Sequence, residues 1–295
     1  MKLITWNIQW CRGCDGRVDP ARIARTCRDM ADFDVLCLQE VARGFDTGLE
    51  GSHGEDQFRL LAEALSGYML IEGIATDRAA NTVAGPRRQF GNAIFSRLPV
   101  LQAQRHLLPW PADANQPSMQ RVAVEITIRL SSHDLRVTTT HLEYYSKTQR
   151  AVQVESLRAL QGLAASHSRV RPAQRRADHV GSPCEPVACP VSAILTADFN
   201  FRPDDPSYAR LQAPIEGSSS EARVPAYRDA WALAHPGAVH APTVGVHDKA
   251  QWPGDPFCFD FIFVTEDLAP RVESVSVNAL TDASDHQPVL LQMAD

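Results

Sequence analysis

Arg121-Val122-Ala123-Val124-Glu125-Ile126-Thr127-Ile128-Arg129 alternates without a break: Val122, Val124, Ile126 and Ile128 fall on one side, and Ala123, Glu125, Thr127 and Arg129 on the other. A period of two over this length is the mark of a β-strand with one buried face. Weaker runs of the same kind lie on both sides of it. Residues 2–8, 34–39, 68–75, 91–96 and 99–105 read as strands before it, and 135–140, 194–197, 259–265, 272–277 and 288–292 as strands after it. Helical patterns are fewer. Asp19-Pro20 opens one over 19–31, with aspartate as the cap and proline in the first turn. Residues 55–66 read as a second, and 147–165, with Val152, Leu157, Leu160, Leu163 and Ala164, as the longest. Two sets of apolar strands with helices outside them predict a two-sheet α/β sandwich.

Composition narrows the function. The chain has 295 residues, 44% hydrophobic and 22% charged, which is enough for a substantial core and excludes a disordered tail. No stretch approaches the ~20 apolar residues of a membrane-spanning helix, and Met1-Lys2 leads straight into the first strand without a secretory core. A soluble cytoplasmic protein with no obligate protein partner is therefore expected. Lys plus Arg is 29 against 35 Asp plus Glu, a net charge of −6, which argues against a chain that simply coats nucleic acid. A local basic strip remains open, with Arg87-Arg88, Arg97, Arg105 and the arginines of 169–176 as its candidates. Residues 166–190 read as a long mobile loop between a helix and a strand, in which Arg171 and Arg175 could meet an anionic substrate. Residues 214–225 and 236–257 are the other irregular stretches. Seven cysteines, an odd number, do not suit a secreted disulfide framework. Cys37 and Cys258 read as small core residues, and Cys11-x-x-Cys14, alone or with Cys184 and Cys189, is a weak metal or redox signal.

The polar residues that matter stand where apolar runs stop. Asn7 closes the first strand, Glu40 the second, His141 follows Thr138-Thr139-Thr140, and Asp198-Phe199-Asn200 follows Ile194-Leu195-Thr196-Ala197. Asp260 opens a further run, and Ser284-Asp285-His286 precedes the last. Taken singly, each would be an ordinary turn, cap or partly exposed residue. Gathered at one end of a rigid scaffold they would form one cleft. Glu40, Asp198, Asp260 and Asp285 could not share it unaided, since two like charges ~4 Å apart repel by roughly 4 kcal/mol at an effective dielectric of 20. A hard divalent cation removes that penalty, and oxygen ligands favour Mg²⁺ or Mn²⁺ over Zn²⁺. With His141 and His286 to face an anion, the inventory suits metal-assisted attack of water on phosphorus. The chain has no Walker loop, no Gly-x-Gly-x-x-Gly, no His-Glu-x-x-His and no Gly-x-Ser-x-Gly elbow.

In order along the chain, Thr5-Trp6-Asn7, Leu38-Gln39-Glu40, Gly91-Asn92-Ala93-Ile94-Phe95-Ser96, Thr140-His141-Leu142, Thr196-Ala197-Asp198-Phe199-Asn200, Phe259-Asp260-Phe261-Ile262 and Ser284-Asp285-His286 resemble the endonuclease/exonuclease/phosphatase (DNase I-like) superfamily from Asn7 to His286. The resemblance implies a four-layer α/β sandwich over residues 1–295 as one domain, two mixed sheets packed face to face with helices outside. It also implies roles. Glu40 would be the main Mg²⁺ ligand, with Asn7 beside it and Asp285 near the metal. Asp198 would orient and deprotonate water, Asn200 would steady it or the phosphate, and His286, oriented by Asp260, would contact the scissile phosphate. His141 would donate to a non-bridging oxygen, and Asn92 would support that wall on the substrate side. The expected activity is metal-dependent hydrolysis of a phosphodiester or phosphomonoester; the alternatives are a DNA or RNA nuclease on the same site and a catalytically silent binding module. Some relatives carry Asp two residues after the first Asn where this chain has Gln9, which bears on a second metal. His141 stands where the abasic-site nuclease branch carries Tyr. Pro256-Phe257-Cys258-Phe259-Asp260 replaces the Trp-Cys-Asp-Arg signature of the inositol-phosphate phosphatases.

Overall fold

The computed structural model describes residues 1–82, 85–169, 181–185, 187, 189–215 and 224–294. The chain lays down β1 (Lys2–Asn7), β2 (Val35–Arg43), β3 (Met69–Arg78) and β4 (Arg88–Ser96), then a second group, β5 (Val100–Leu107), β6 (Val122–Arg129), β7 (Asp134–His141), β8 (Ala193–Asp198), β9 (Tyr227–Asp229) and β10 (Asp260–Thr265). It returns with β11 (Val272–Val277) and β12 (Val289–Met293). Two six-stranded sheets result, ordered β11-β12-β1-β2-β4-β3 and β5-β6-β7-β8-β10-β9. Each is mixed: β1 and β2 run parallel in the first, β7 and β8 in the second, and the remaining neighbours are antiparallel. Both parallel pairs are joined by the helical crossover that such a connection requires, α1 (Pro20–Met30) in the first and α3 (Lys147–Arg169) in the second.

The alternation of each strand decides what it meets. Leu3, Val35, Cys37 and Ile94 of the first sheet pack against Val124, Ile126, Val137, Ile194 and Ile262 of the second, forming the core between the sheets. The other face of the first sheet, with Ile4, Leu36 and Leu38, is covered by Ile23 of α1 and Phe58 of α2 (Gln57–Ala64). The other face of the second sheet, with Leu195, Phe261 and Phe263, is covered by Leu157 of α3 and Leu211 of α4 (Pro206–Gln212). The order helix, sheet, sheet, helix is the sandwich expected from the sequence. Asp19 caps α1, its side chain accepting from the Arg22 amide, with Pro20 in the first turn.

Several local expectations change. β6 is buried on both faces: Glu125 accepts from Thr138 and lies 3.6 Å from Arg136, a polar pairing covered by α3, whose Gln161 accepts from Arg136. α3 runs to Arg169, into the stretch expected as a loop, because no proline interrupts it before Pro172. The rest of that expected loop falls mostly outside the described residues, and Arg171 and Arg175 fall there entirely. β9 and the short helices α4 and α5 (Ala230–Ala234) are too brief to show a period in the sequence. No helix among the described residues is long and apolar enough to cross a membrane.

The largest departure is in β2, which does not end at Glu40. It continues to Arg43 across a bulge, its register with β4 shifting between Leu38 and Val41, while β3 bulges against β4 between Ile74 and Thr76. Both irregularities converge on Gly91, the partner of Val41 on one side and of Ile74 on the other. A Cβ at Gly91 would lie 1.9 Å from the Gly73 carbonyl oxygen, a backbone atom that cannot step aside. Gly91→Ala is therefore expected to lower the free energy of urea unfolding by about 1–3 kcal/mol, as overpacking does. Equal stability of the two proteins would contradict this close approach.

Candidate active site

The inner-face stripes explain why the polar residues meet. Leu3, Thr5 and Asn7 follow one another at period two on β1, Val137, Thr139 and His141 on β7, and Ile194, Thr196 and Asp198 on β8. Each stripe thus passes from apolar core, through a buried threonine, to a functional group at the same end of the sandwich. β2 reaches the same level by its bulge. Gln39 faces inward in step with Val35 and Cys37, and Glu40 takes φ +61° as the extra residue, so it too reaches the cleft.

At that end Asn7 Nδ2 donates to Glu40 Oε1 at 3.1 Å and to Asp198 Oδ2 at 2.9 Å, tying the two sheets together. The Asn200 amide N–H donates to Asp198 Oδ1 at 3.0 Å. The Asn200 side-chain Nδ2 donates to His141 Nε2 and to the Leu142 carbonyl, 2.9 Å each. That contact makes His141 Nε2 an acceptor and leaves the ring proton on Nδ1, which is buried without a hydrogen-bond partner, 3.7 Å from Glu40 Oε1. His286 donates from Nδ1 to Asp260 Oδ2 at 2.8 Å, and its Nε2 lies 3.7 Å from Asp198 Oδ2. Thr243 donates to the same Asp260 oxygen at 2.6 Å. Asp285 accepts from Trp252 Nε1 at 2.9 Å. Glu40, His141, Asp198, Asn200, Asp285 and His286 line one cleft of about 340 Å³; Asn7 and Asp260 stand behind them. Among the described residues, Asp198, Asp260 and His286 are the group of acids, histidines and cysteines close enough to share an ion, with atoms within 4.8 Å.

The chain matches the Endonuclease/Exonuclease/phosphatase family over residues 4–286, from the first strand to the second cleft histidine. It belongs to that family. Among solved structures, an endonuclease/exonuclease/phosphatase from Beutenbergia cavernae is 25% identical, covering 99% of this chain and 70% of that one with a TM-score of 0.64. A mannosyl-6-phosphatase from Bacteroides thetaiotaomicron is 16% identical over 100% of both chains with a TM-score of 0.62. TDP2 from D. rerio, solved with a single-strand DNA product, is 17% identical over 99% of this chain and 97% of that one with a TM-score of 0.61. No curated protein matches the sequence.

Other residues are placed differently from the sequence reading. Asn92 is absent from the cleft lining; its Nδ2 donates to the Val122 carbonyl beneath that wall, on the oxygen that Thr140 also uses. Arg97 is held by Asp32 and Asp34 beside the start of β2, the opposite end from the cleft, and Arg87 by Asp77. Arg105 donates to the Glu72 carbonyl. None of the three lines the cleft. The cysteine pair does not assemble with Cys184 or Cys189: Cys11 is buried and Cys14 donates to the Ser284 carbonyl. The lining does contain Arg121, Tyr144, Tyr145 and Trp252, none of which the strand-end pattern marks.

Strain and charge concentrate in this family member's cleft. The non-glycine residues with positive φ among those described are Gln9, Trp10, Cys11, Glu40 and Asn200, and four of the five line the cleft. Such backbone costs of order 1–3 kcal/mol each. Burial, then the charge of Asp285, pushes the Glu40 carboxyl up to about 7. Burial likewise raises Asp198, which the His286 charge partly offsets. Burial, then Arg121, holds His141 well below its ordinary value, so this imidazole is neutral. Burial opposes a charge on His286, but Asp260, Asp285 and Asp198 outweigh it and hold the ring protonated well above its ordinary value.

The Glu40 shift has a sign that can be measured. Below about pH 4.5 the carboxyl is protonated folded or unfolded and contributes nothing. Between 4.5 and about 7 the unfolded chain releases a proton that the folded chain keeps, so stability falls as pH rises. In EDTA, wild type is expected to lose on the order of 3 kcal/mol relative to Glu40→Gln between pH 4.5 and 7.5. Parallel stability profiles of the two proteins by urea denaturation would refute it.

Proposed function

We propose that this chain hydrolyses a phosphoester with a divalent cation, Mg²⁺ or Mn²⁺, by in-line attack of water on phosphorus. The observation that carries the reading is the row Asp260–His286–Asp198: a protonated imidazole clamped at Nδ1 by one buried carboxylate, with its Nε2 3.7 Å from another whose affinity for a proton is raised. An acid and a base are thereby held side by side with opposite proton inventories, as hydrolysis requires.

The residues fit the cation. Glu40 and Asp285 are oxygen donors whose mutual repulsion is uncompensated by any basic side chain bonded to them; burial first, then that repulsion, raises the Glu40 carboxyl. Both would hold it, with Asn7 keeping Glu40 in place; bound there, a hard cation would neutralise the carboxylates and polarise the phosphoryl group. His286 is a poorer ligand, since Asp260 keeps it charged. Asp198, oriented by the amides of Asn7 and Asn200, accepts a proton from water as its oxygen bonds to phosphorus. The electron pair of the breaking bond goes to the leaving oxygen, which takes a proton from solvent and departs as the alcohol while Asp198 returns its proton to solvent. His286 donates hydrogen bonds from Nε2 to the phosphoryl oxygens where charge accumulates. His141, neutral with its proton on Nδ1, is a second such donor.

The lining favours a small phosphoester over a nucleic acid. Arg121 is the one lysine or arginine in it among the described residues, and Arg87, Arg88, Arg97 and Arg105 are bound elsewhere. A silent binding module is disfavoured because every polar group of the row is present and oriented. Tyr144 and Trp252, edge to face at 6.0 Å, give the leaving group an aromatic wall.

Purified protein is expected to release alcohol from phosphoesters with Mg²⁺ and to stop in EDTA. His286→Ala should lose about 10²–10³ in turnover, the usual effect of removing one transition-state donor, and Asp198→Asn at least as much. Calorimetry should show Mg²⁺ binding weakened in Glu40→Gln and kept in His286→Ala. Near wild-type turnover in either catalytic variant would overturn the assignment. A separate substitution addresses the wall: Trp252→Phe keeps the ring and removes the bond to Asp285, so it should raise KM less than Trp252→Ala does.

A further inference from the structure

Four arginines are buried among the described residues, and three of them are explained by structure. Arg150 donates to the carbonyls of Glu143 and Tyr144, Arg158 to those of Arg210, Ala213 and Pro214, and Arg136 to Gln161 with Glu125 beside it. Arg121 differs. The other three bond through their terminal Nη atoms and leave Nε buried without an acceptor; Arg121, 6% exposed, is the reverse, its guanidinium bonded through Nε to Glu143 at 3.3 Å and its Nη1 buried with no acceptor. It also lines the cleft, close enough to His141 to act on that ring electrostatically. A guanidinium carries five N–H donors in a planar fork. A charged donor left buried and unmatched is costly, so an unpartnered Nη1 beside the reacting centre points to an acceptor that arrives with the ligand.

From this arrangement we infer that Arg121 binds a non-bridging oxygen of the reacting phosphate and selects terminal phosphomonoesters over diesters, a refinement that rests on the phosphoesterase reading above. A diester phosphate has two non-bridging oxygens and one negative charge. A monoester has three and, near neutral pH, close to two charges. His286 and His141 are donors for two oxygens, and the Arg121 fork supplies the third, in the two-donor geometry that suits phosphate. In a diester that third position is an ester oxygen, uncharged and bearing a carbon, which is a poor acceptor, and its substituent crowds the guanidinium. Glu143, fully buried, fixes the fork: one carboxylate oxygen accepts from Arg121 and the other from the Tyr145 amide at 3.0 Å. The same carboxylate therefore orients the phosphate-binding group and anchors the start of the aromatic wall.

The test uses the Mg²⁺-loaded protein with p-nitrophenyl phosphate, bis-p-nitrophenyl phosphate and inorganic phosphate. Wild type is expected to prefer the monoester in kcat/KM, and Arg121→Gln to reduce that preference about 100-fold. Calorimetry should show inorganic phosphate binding at least tenfold weaker in Arg121→Gln. Arg121→Lys, which keeps charge and stem but loses the fork, should recover part of both and carries the test if Arg121→Gln does not fold. A wild type that prefers the diester, or a monoester preference and phosphate affinity unaltered by these variants, overturns the inference and leaves the phosphoesterase reading intact. Hydrolysis of neither ester, with phosphate still bound through Arg121, removes the catalytic reading and keeps the anion site.

Discussion

Gln39 crosses from one sheet to the other. Its Nε2 lies 3.1 Å from Thr5 Oγ1 on β1 and 2.8 Å from Thr139 Oγ1 on β7, and Thr139 in turn accepts from Thr196 of β8 at 3.0 Å. All four are fully buried, a polar layer laid over an otherwise apolar inter-sheet core. Hydrogen bonds in such a medium are directional where hydrophobic packing is not, so they fix how far one sheet slides on the other. Asn7, His141 and Asp198 stand two residues further along β1, β7 and β8. The contacts that join the sheets across the cleft, Asn7 to Asp198 at 2.9 Å and His141 to Glu40 at 3.7 Å, inherit their spacing from the layer beneath. A site divided between two sheets needs such a register, because a slip of one step would turn every functional group away.

The same placement sets fold stability against function. Glu40 and Asp198 are drawn together with Asp260 and Asp285 where burial and neighbouring carboxylates oppose the charge of the first two, and left-handed backbone at Glu40 and Asn200 adds strain. Relief is supplied unevenly. One oxygen of Asp260 takes close bonds from both His286 and Thr243, whereas Asp198 is bonded by amide donors with the His286 charge farther off, and Glu40 has little besides Asn7. Asp260 therefore serves as a fixed anchor for the imidazole, while Asp198 and Glu40 keep the capacity to take up a proton or a cation. The core carries the cost: three apolar layers hold the strand ends rigid enough for the unfavourable cluster to persist.

What the sequence revealed follows from this geometry. Strand ends are easy to read when an apolar stripe runs directly into a polar residue, which is how Asn7, His141, Asp198 and Asp260 could be picked out. The sequence marks Glu40 for a different reason than the one that places it. Alternation alone puts Gln39 and Glu40 on opposite faces, and only the bulge opposite Gly91 brings both to the interior. Arg121 was hidden because it opens the most regular strand in the chain and looks like a solvated flank. Its role depends on Glu143, twenty-two positions away, a contact that no local pattern encodes. Trp252 lies in a stretch with no period at all, and its bond to Asp285 and its contact with Tyr144 exist only once three separate segments have met.

These two kinds of residue divide the labour of the site. Groups that would act on phosphorus sit on or beside strand ends, where the backbone is held by two neighbours and the core below. Groups that would meet the rest of the substrate, Tyr144, Tyr145 and Trp252, come from connections whose sequence is free of the sheet's alternation. Relatives that keep the first set and alter the second can share the scaffold while differing in sequence almost everywhere. Structures 16–25% identical over nearly all of this chain show how far sequence diverges on one scaffold. Arg121 belongs to neither set. It stands just before β6, yet it lines the cleft, held by a carboxylate whose other oxygen secures the loop. A group so placed would couple the rigid centre to the rim, and a change in the rim would reach a bound phosphate through Glu143 rather than through the strands.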